Sequence, residues 1–267
     1  MDYARLLREI KTVDGRVYSI GKSELARDIF CIERGEGTPI LIHGAIHARE
    51  HLTADLVIYL ARQRVPKGLR VYFIPMVNPD GVDIALKGTD WLPDGKREQV
   101  DSVTPDTHYF KANVNCVDLN VNFDANWGRG ASNVKTLSFE NYIGPYPFSE
   151  PESVALRDFT EKVKPKVTIA YHLAGEEIYW GFNGIYRYRE QIERYAKDTG
   201  YTLKTSKTST GGYKDWYTQN FDGIGITVEV GRSLGYPYPI GELDSIIKKN
   251  ENVLNVTHDV LRELDWI

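Results

Sequence analysis

The sequence predicts an α/β fold: one domain whose central mixed β-sheet carries helices on both faces. Three observations predict it. Short β-rich apolar runs alternate with stretches of helical apolar spacing, the order that builds a layered sheet-and-helix domain. The 267 residues are enough for one large core. No internal repeat, low-complexity tract or linker divides them, so the expectation is a single domain over 1–267, with residues 1–30 extending the sheet at its N-terminal end.

The elements follow in order. "YSIG" at 18–21 and "IFCIERG" at 29–35 read as a first pair of strands. "PILIHG" at 39–44 is a buried strand, and "LTADLVIYLARQ" at 52–63 is helical by its apolar spacing. "LRVYFIP" at 69–75 is the next strand, closed by Pro75 and by the turn-forming "NPDG" at 78–81. Residues 86–115 are polar, irregular and rich in Gly, Pro and Asp; a loop that long inside a compact domain is expected to be functional. "ESVALRDFTEKV" at 152–163 is a helix and "KVTIAYH" at 166–172 a strand. "YREQIERYAKDTG" at 188–200 is a helix stopped by Gly200, and "IGITVEVG" at 224–231 is a strand. Apolar residues recurring from Leu243 to Leu261 mark one long closing helix. Ligands in such sheets bind at the carboxyl ends of strands, where His43, His172 and Glu229 all fall.

Composition narrows the function classes. Hydrophobic residues make up 42% and charged residues 26%, with a formal net charge of -4 and no Lys/Arg-rich run. That excludes the basic face a nucleic-acid or membrane-surface partner requires. No apolar stretch reaches membrane-spanning length. The N-terminus "MDYARLLREIKTVDG" lacks the apolar core of a secretory signal, which points to the cytoplasm, although a precursor trimmed of its signal would read the same. Cys31 and Cys116 lack CxxC spacing and read as small buried side chains rather than metal ligands; the sequence leaves a disulfide between them open.

The chemistry concentrates in "HGAIHAREH", where His43, His47, His51 and Glu50 fall within nine residues. Neutral imidazoles and carboxylates are good zinc ligands, and the three-residue spacing of His47 and Glu50 lets both point to one spot. His43 and His51 are each four residues from His47, so spacing alone does not choose among these pairs. His172 ends a β-rich run, where a third ligand could be presented rigidly. Glu229 sits in the otherwise apolar strand "ITVEV"; a carboxylate there is costly unless paired, and desolvation raises its pKa towards that of a general base. The competing reading for Glu229 is a salt bridge to a nearby arginine.

Four segments in this order, "HARE" at 47–50, "CVDLNVNF" at 116–123, "YHLAGEEIYWG" at 171–181 and "ITVEVG" at 226–231, resemble the zinc carboxypeptidase family. The resemblance implies a single zinc held by His47, Glu50 and His172, with Glu229 as general base. It implies that Asp118 orients the His47 imidazole, that Arg49 and Asn120 line the substrate cleft, and that Lys111 stabilises the tetrahedral oxyanion. Two departures bear on the substrate. The family carries an arginine after the asparagine of "DLNRNF" that clamps the substrate's terminal carboxylate; here that position is Val121. Losing such a pairing removes on the order of 1.5–3 kcal/mol of charged hydrogen bonding. In "KTSTGGYKDW", Lys207 stands where the family has a tyrosine, and Lys214 stands at the base of the specificity pocket.

Together with "GEEIYWG", these departures resemble a subgroup that cuts the γ-D-glutamyl–diaminopimelate bond of peptidoglycan peptides. The implied partner is a murein tripeptide or related muropeptide, with Lys214 and Lys207 as basic residues and Glu177 as an acidic one for the zwitterionic end of diaminopimelate. Three alternatives remain at this level: a conventional metallocarboxypeptidase, an inactive peptide-binding module, and a serine hydrolase. The last rests on "GRSLG" at 231–235, a nucleophile-elbow pattern followed by Asp244 and His258. Pro237 and Pro239 block the helix that must follow an elbow.

Overall fold

The computed structural model describes residues 1–206, 208–232 and 235–267. One eight-stranded sheet organises them, in the order β1-β2-β4-β3-β5-β8-β6-β7. Its strands are β1 Arg16–Lys22, β2 Asp28–Gly35, β3 Gly37–His43, β4 Gly68–Ile74, β5 Val167–Leu173, β6 Glu177–Trp180, β7 Thr202–Lys204 and β8 Ile224–Val230. The four central strands β4, β3, β5 and β8 are mutually parallel; β1 and β2 join antiparallel at one side and β6 antiparallel at the other. The mixed sheet of one domain is as expected, and β1 forms one edge of it.

The helices are α1 Tyr3–Glu9, α2 Leu52–Arg62, α3 Pro79–Lys87, α4 Asp94–Asp101, α5 Pro151–Val163, α6 Arg189–Thr199, α7 Tyr213–Asn220, α8 Leu243–Asn250 and α9 Val253–Glu263. Alternate residues of β3, β4 and β5 enter two cores, and β8 contributes to one of them. Ile40, Ile42, Ile169, Tyr171, Ile226 and Val228 pack beneath α1, α2, α6, α8 and α9. Leu41, Tyr72, Ile74 and Ala170 face α5 and α7 on the other side. This is the period-2 alternation of a sheet buried on both faces. Among the described residues no helix is long and apolar enough to cross a membrane.

Three local expectations give way to the structure, and one helix, α7, had no sequence reading. "NPDG" opens α3 instead of making a turn: the Asn78 side chain accepts from the Gly81 N–H at 2.9 Å as N-cap, and Pro79 sits at the first helical position, where its missing N–H costs nothing. The polar stretch 86–115 contains α4, whose single buried residue, Val100, leaves no apolar stripe to detect. The closing helix is two helices, interrupted at Glu251–Asn252. α7 is buried all round, from Tyr213 to Thr218, so it shows no amphipathic period. Cys31 and Cys116 are both buried and free.

The chain leaves β3 through α2 to β4 on one side, then returns past β3 through α5 to β5 on the other. The crevice between the carboxyl ends of β3 and β5 is therefore a topological switch point, where open α/β sheets bind ligands.

Candidate active site

At that crevice the backbone leaves β3 and makes one 3-10 turn, Ala48–Glu50, before α2. The turn places His47 and Glu50 on the same side, both almost fully buried. His172, at the end of β5, meets them. His47 Nδ1 lies 2.8 Å from Glu50 Oε1 and 3.1 Å from His172 Nδ1, and His172 Nδ1 lies 3.1 Å from Glu50 Oε2. Each residue thus offers one ligand atom within 4.8 Å of the others. Two imidazole nitrogens and a carboxylate brought this close, with few protons to share, are an electron-rich set that a cation satisfies. Two neutral nitrogens and one oxygen suit zinc, and three protein ligands leave a coordination position open.

The other two histidines are elsewhere. His43 is fully buried with its ring edge-on to Tyr213 at 4.7 Å, and neither ring nitrogen has a hydrogen-bond partner among the described residues. Burial, helped by His172 and His47, pushes its pKa down to about 3. His51 turns away towards Met1, and burial with the Met1 ammonium pushes it to about 3.

Charge around the cluster is arranged in layers. His47 Nε2 faces Asp118 Oδ1 at 3.2 Å, and Asp118 in turn lies 2.8 Å from Lys111 Nζ. The Asp118 carboxylate also accepts the N–H groups of Asn120 and Asn141. Burial alone would raise Asp118, but Lys111 and His47 outweigh it and hold it well below the usual carboxylate range. Glu50 is held down in the same way, by both histidines against burial. Lys111 therefore spends part of its charge on Asp118, while its side chain still lines the cavity.

Glu229 behaves oppositely. In the β5–β8 register it sits beside His172, and in the β8–β6 register opposite Glu177, so the three form a row across one face of the sheet. No arginine pairs with it among the described residues, which removes the salt-bridge reading. Withdrawal from water pushes it up to about 7, with Glu50 and Glu177 adding to the rise and His172 and Lys111 opposing it. A carboxylate so placed is a proton acceptor near neutrality.

These groups open into a cavity of about 390 Å³ whose lining includes Arg49, Lys111, Asn120, Glu177, Lys214 and Glu229. Arg49 donates to the Tyr109 carbonyl at 2.9 Å, pairs with Glu140 at 3.1 Å, and stacks on the Tyr236 ring at 4.4 Å. Asn120 Oδ1 accepts the Tyr213 N–H at 3.0 Å, tying the start of α7 to the cavity wall. Gly211 makes that approach feasible: its φ is +81°, and a Cβ there would meet the Val121 carbonyl at 2.7 Å. Val121 itself is an apolar, buried side chain. Lys214 reaches the cavity floor from α7, and Glu177 stands on its wall, bonded by Lys204 and by the Tyr179 hydroxyl. Lys207 lies outside the described residues, as does Ser233 of the elbow pattern. Asp244 is exposed on α8 and His258 pairs with its neighbour Asp259, so neither completes a triad.

Residues 5–254 match the family model described as zinc carboxypeptidase. The chain belongs to the zinc carboxypeptidase family. It is thus an enzyme fold of the zinc metallopeptidases, as the four ordered motifs implied. Gamma-D-glutamyl-L-diamino acid endopeptidase 1 of Lysinibacillus sphaericus is 31% identical over 93% of this chain and 69% of its own length. Carboxypeptidase B of Astacus astacus is 28% identical over 62% of this chain and 57% of its own. Among solved structures, bovine thrombin-activatable fibrinolysis inhibitor, in complex with tick carboxypeptidase inhibitor, superposes with a TM-score of 0.76 at 19% identity, covering 98% of both chains. Murein-tripeptide amidase from Escherichia coli O157 gives 0.63 at 21% identity, covering 92% of this chain and 93% of its own. Both share the zinc carboxypeptidase fold.

Sequence reasoning missed Tyr236, Asp215 and Tyr179 at this site. Tyr236 donates to the Leu173 carbonyl at 3.3 Å and carries the Arg49 guanidinium on its ring. It belongs to the segment after β8 that has no period to read. Asp215 directly follows Lys214, and its adjacency to a charged pocket residue was the available signal.

Proposed function

We propose that this zinc carboxypeptidase family member hydrolyses the γ-D-glutamyl–diaminopimelate bond of peptidoglycan peptides. His47, Glu50 and His172 would hold a zinc, which when bound would supply Lewis acidity to the water and the scissile carbonyl. Glu229 takes the water proton and returns it to the leaving amine, a role that its position beside His172 and its raised proton affinity both support. Asp118 fixes the His47 ring from behind. Lys111 keeps ammonium donors free after bonding Asp118 and aims charge at the developing oxyanion. Arg49 and Asn120 position the substrate along the cleft, and Lys214 and Glu177 offer charge to the diamino acid.

The observation that carries the reading is Val121. A buried apolar side chain follows Asn120 at the position where the family has its clamping arginine, while the cavity that Asn120 lines is rich in charge. The relative at 31% identity, a γ-D-glutamyl-L-diamino acid endopeptidase by name, supports the same chemistry. The test is kcat/KM on a γ-D-glutamyl-diaminopimelate peptide against a simple peptide with a free C-terminal L-residue. The first is expected to be strongly preferred. Equal release of ordinary C-terminal residues would make the protein a plain carboxypeptidase, and no turnover of either would leave only a peptide-binding module.

A further inference from the structure

A γ-glutamyl bond leaves a mark on the acyl side of the cut. The glutamate is joined through its side chain, so its α-carboxylate is free and stands a few bonds from the scissile carbonyl. An ordinary α-linked residue carries no charge there unless its own side chain is acidic. A water-poor cavity built for the γ linkage needs a cation to meet that carboxylate.

Among the described residues, three cations line the cavity: Arg49, Lys111 and Lys214. Lys214 donates to the Gly181 carbonyl at 2.7 Å and is ion-paired with Asp215. Lys111 pairs at 2.8 Å with Asp118, the carboxylate behind His47, which keeps it beside the reacting centre. Arg49 is placed differently. It immediately precedes Glu50 in the turn after β3, and its neighbours Tyr109, Glu140 and Tyr236 are none of those around Lys214. It therefore serves a different part of the cleft from the diamino acid pocket.

The Arg49 guanidinium is oriented but not saturated. Both acceptors it meets, the Tyr109 carbonyl at 2.9 Å and Glu140 at 3.1 Å, lie on one terminal nitrogen, Nη1. Nε is buried and meets no acceptor among the described residues. The Tyr236 ring lies 4.4 Å from the guanidinium and the Tyr109 ring 6.4 Å from that of Tyr236, so aromatic contact fixes the plane of the fork. A buried donor without an acceptor is costly, and a ligand carboxylate laid against the fork removes the cost. The side chain is 15% exposed, so little water screens a charge brought to it.

We propose, resting on the γ-D-glutamyl-diamino acid reading above, that Arg49 binds the free α-carboxylate of the D-glutamyl residue. Arg49 is then the residue that reads the γ linkage on the acyl side, independently of what holds the leaving diamino acid. A peptide whose α-carboxylate is amidated loses this contact and is a poor substrate. An Arg49 that merely tied the turn to Tyr109 and Glu140 would affect every substrate alike.

The test compares kcat/KM on three peptides. One is L-alanyl-γ-D-glutamyl-meso-diaminopimelate, the second its α-carboxamide analogue. The third, L-alanyl-4-aminobutyryl-meso-diaminopimelate, keeps the chain and lacks the group. Ratios within one protein cancel any loss of active enzyme, so a partly folded variant still reports. The wild type is expected to favour the carboxylate over either analogue by roughly tenfold or more, the factor of one charged hydrogen bond. Arg49→Gln should bring both ratios near unity. Arg49→Lys, which keeps the charge and loses the fork, should give intermediate ratios. If a variant turns over too slowly to assay, the same comparison is read from calorimetric binding of the products L-alanyl-D-glutamate and L-alanyl-D-isoglutamine. A wild-type ratio near unity overturns the assignment without any variant, and so does a preference that survives Arg49→Gln. In both cases the γ-D-glutamyl bond is still cut and the functional reading stands. If the wild type cuts none of the three, that reading fails and the Arg49 assignment falls with it.

Discussion

Glu229 is the residue whose surroundings bear most directly on the chemistry. Its half-buried carboxylate lies near a second carboxylate, Glu50, and opposite a third, Glu177, and has no ion-pair partner among the described residues. Such a group holds its proton more tightly than an ordinary glutamate, and a cation bound by the neighbouring cluster would draw the value back down. Glu229→Gln is expected to retain zinc, measured by metal analysis, while kcat falls by roughly 10²–10⁴-fold, the usual weight of general acid–base catalysis. A variant with near-normal kcat would return Glu229 to a structural role. At this scale the sequence was informative because cost is visible in it: a lone Glu in "ITVEV" and a His ending an apolar strand are expensive placements that demand a reason. Spacing alone did not choose His47 over His43 and His51; the resemblance of the four motifs did, and the 3-10 turn after β3 shows the His47 ring beside Glu50. The pairing of Lys111 with Asp118 was equally out of reach, because nothing in the spacing reveals a contact across a loop.

Among the elements, α5 does more than cover the sheet. Its N-terminal turn is a buried polar clamp on the loop that carries Lys111 and Asp118. The Asn113 side-chain amide donates to Glu150 at 2.8 Å and to Glu152 at 3.1 Å, and its Oδ1 accepts the N–H groups of Asn115 and Val117. Glu152 also accepts the Glu24 N–H, and it is fully buried. Burial pushes it from the ordinary value near 4.5 up to about 8. The folded chain therefore keeps a proton that the unfolded chain releases across that window. Stability from this site is intact below pH 4.5 and falls as pH rises towards 8. Glu152→Gln, neutral at every pH, should flatten the decline of Tm between pH 5 and 8 relative to wild type. An unchanged slope would show that Glu152 is ionised in the folded protein. Long elements such as β3, α2, β5 and β8 were legible because strong apolar periods mark them. The short β6 and β7, the polar α4 and the wholly buried α7 carry no such period, and tertiary contacts alone fix them.

Across the whole molecule, the switch point between β3 and β5 brings together candidate metal ligands that lie more than a hundred residues apart, one pair following β3 and one residue ending β5. The order of four short motifs carried this arrangement, and with it the family, whereas the pocket floor depended on how α7 docks against Asn120 and Gly181. Zinc held by His47, Glu50 and His172 is the condition for every catalytic role assigned here. Turnover of a γ-D-glutamyl-diaminopimelate peptide, followed while zinc is titrated into chelator-stripped protein, tests it most directly. The stripped wild type should be inactive and should regain activity in proportion to zinc, to a plateau at one zinc per chain, while stripped His172→Ala should regain almost none. Activity that survives stripping, or a His172→Ala protein that recovers fully at one equivalent of zinc, would contradict the assignment.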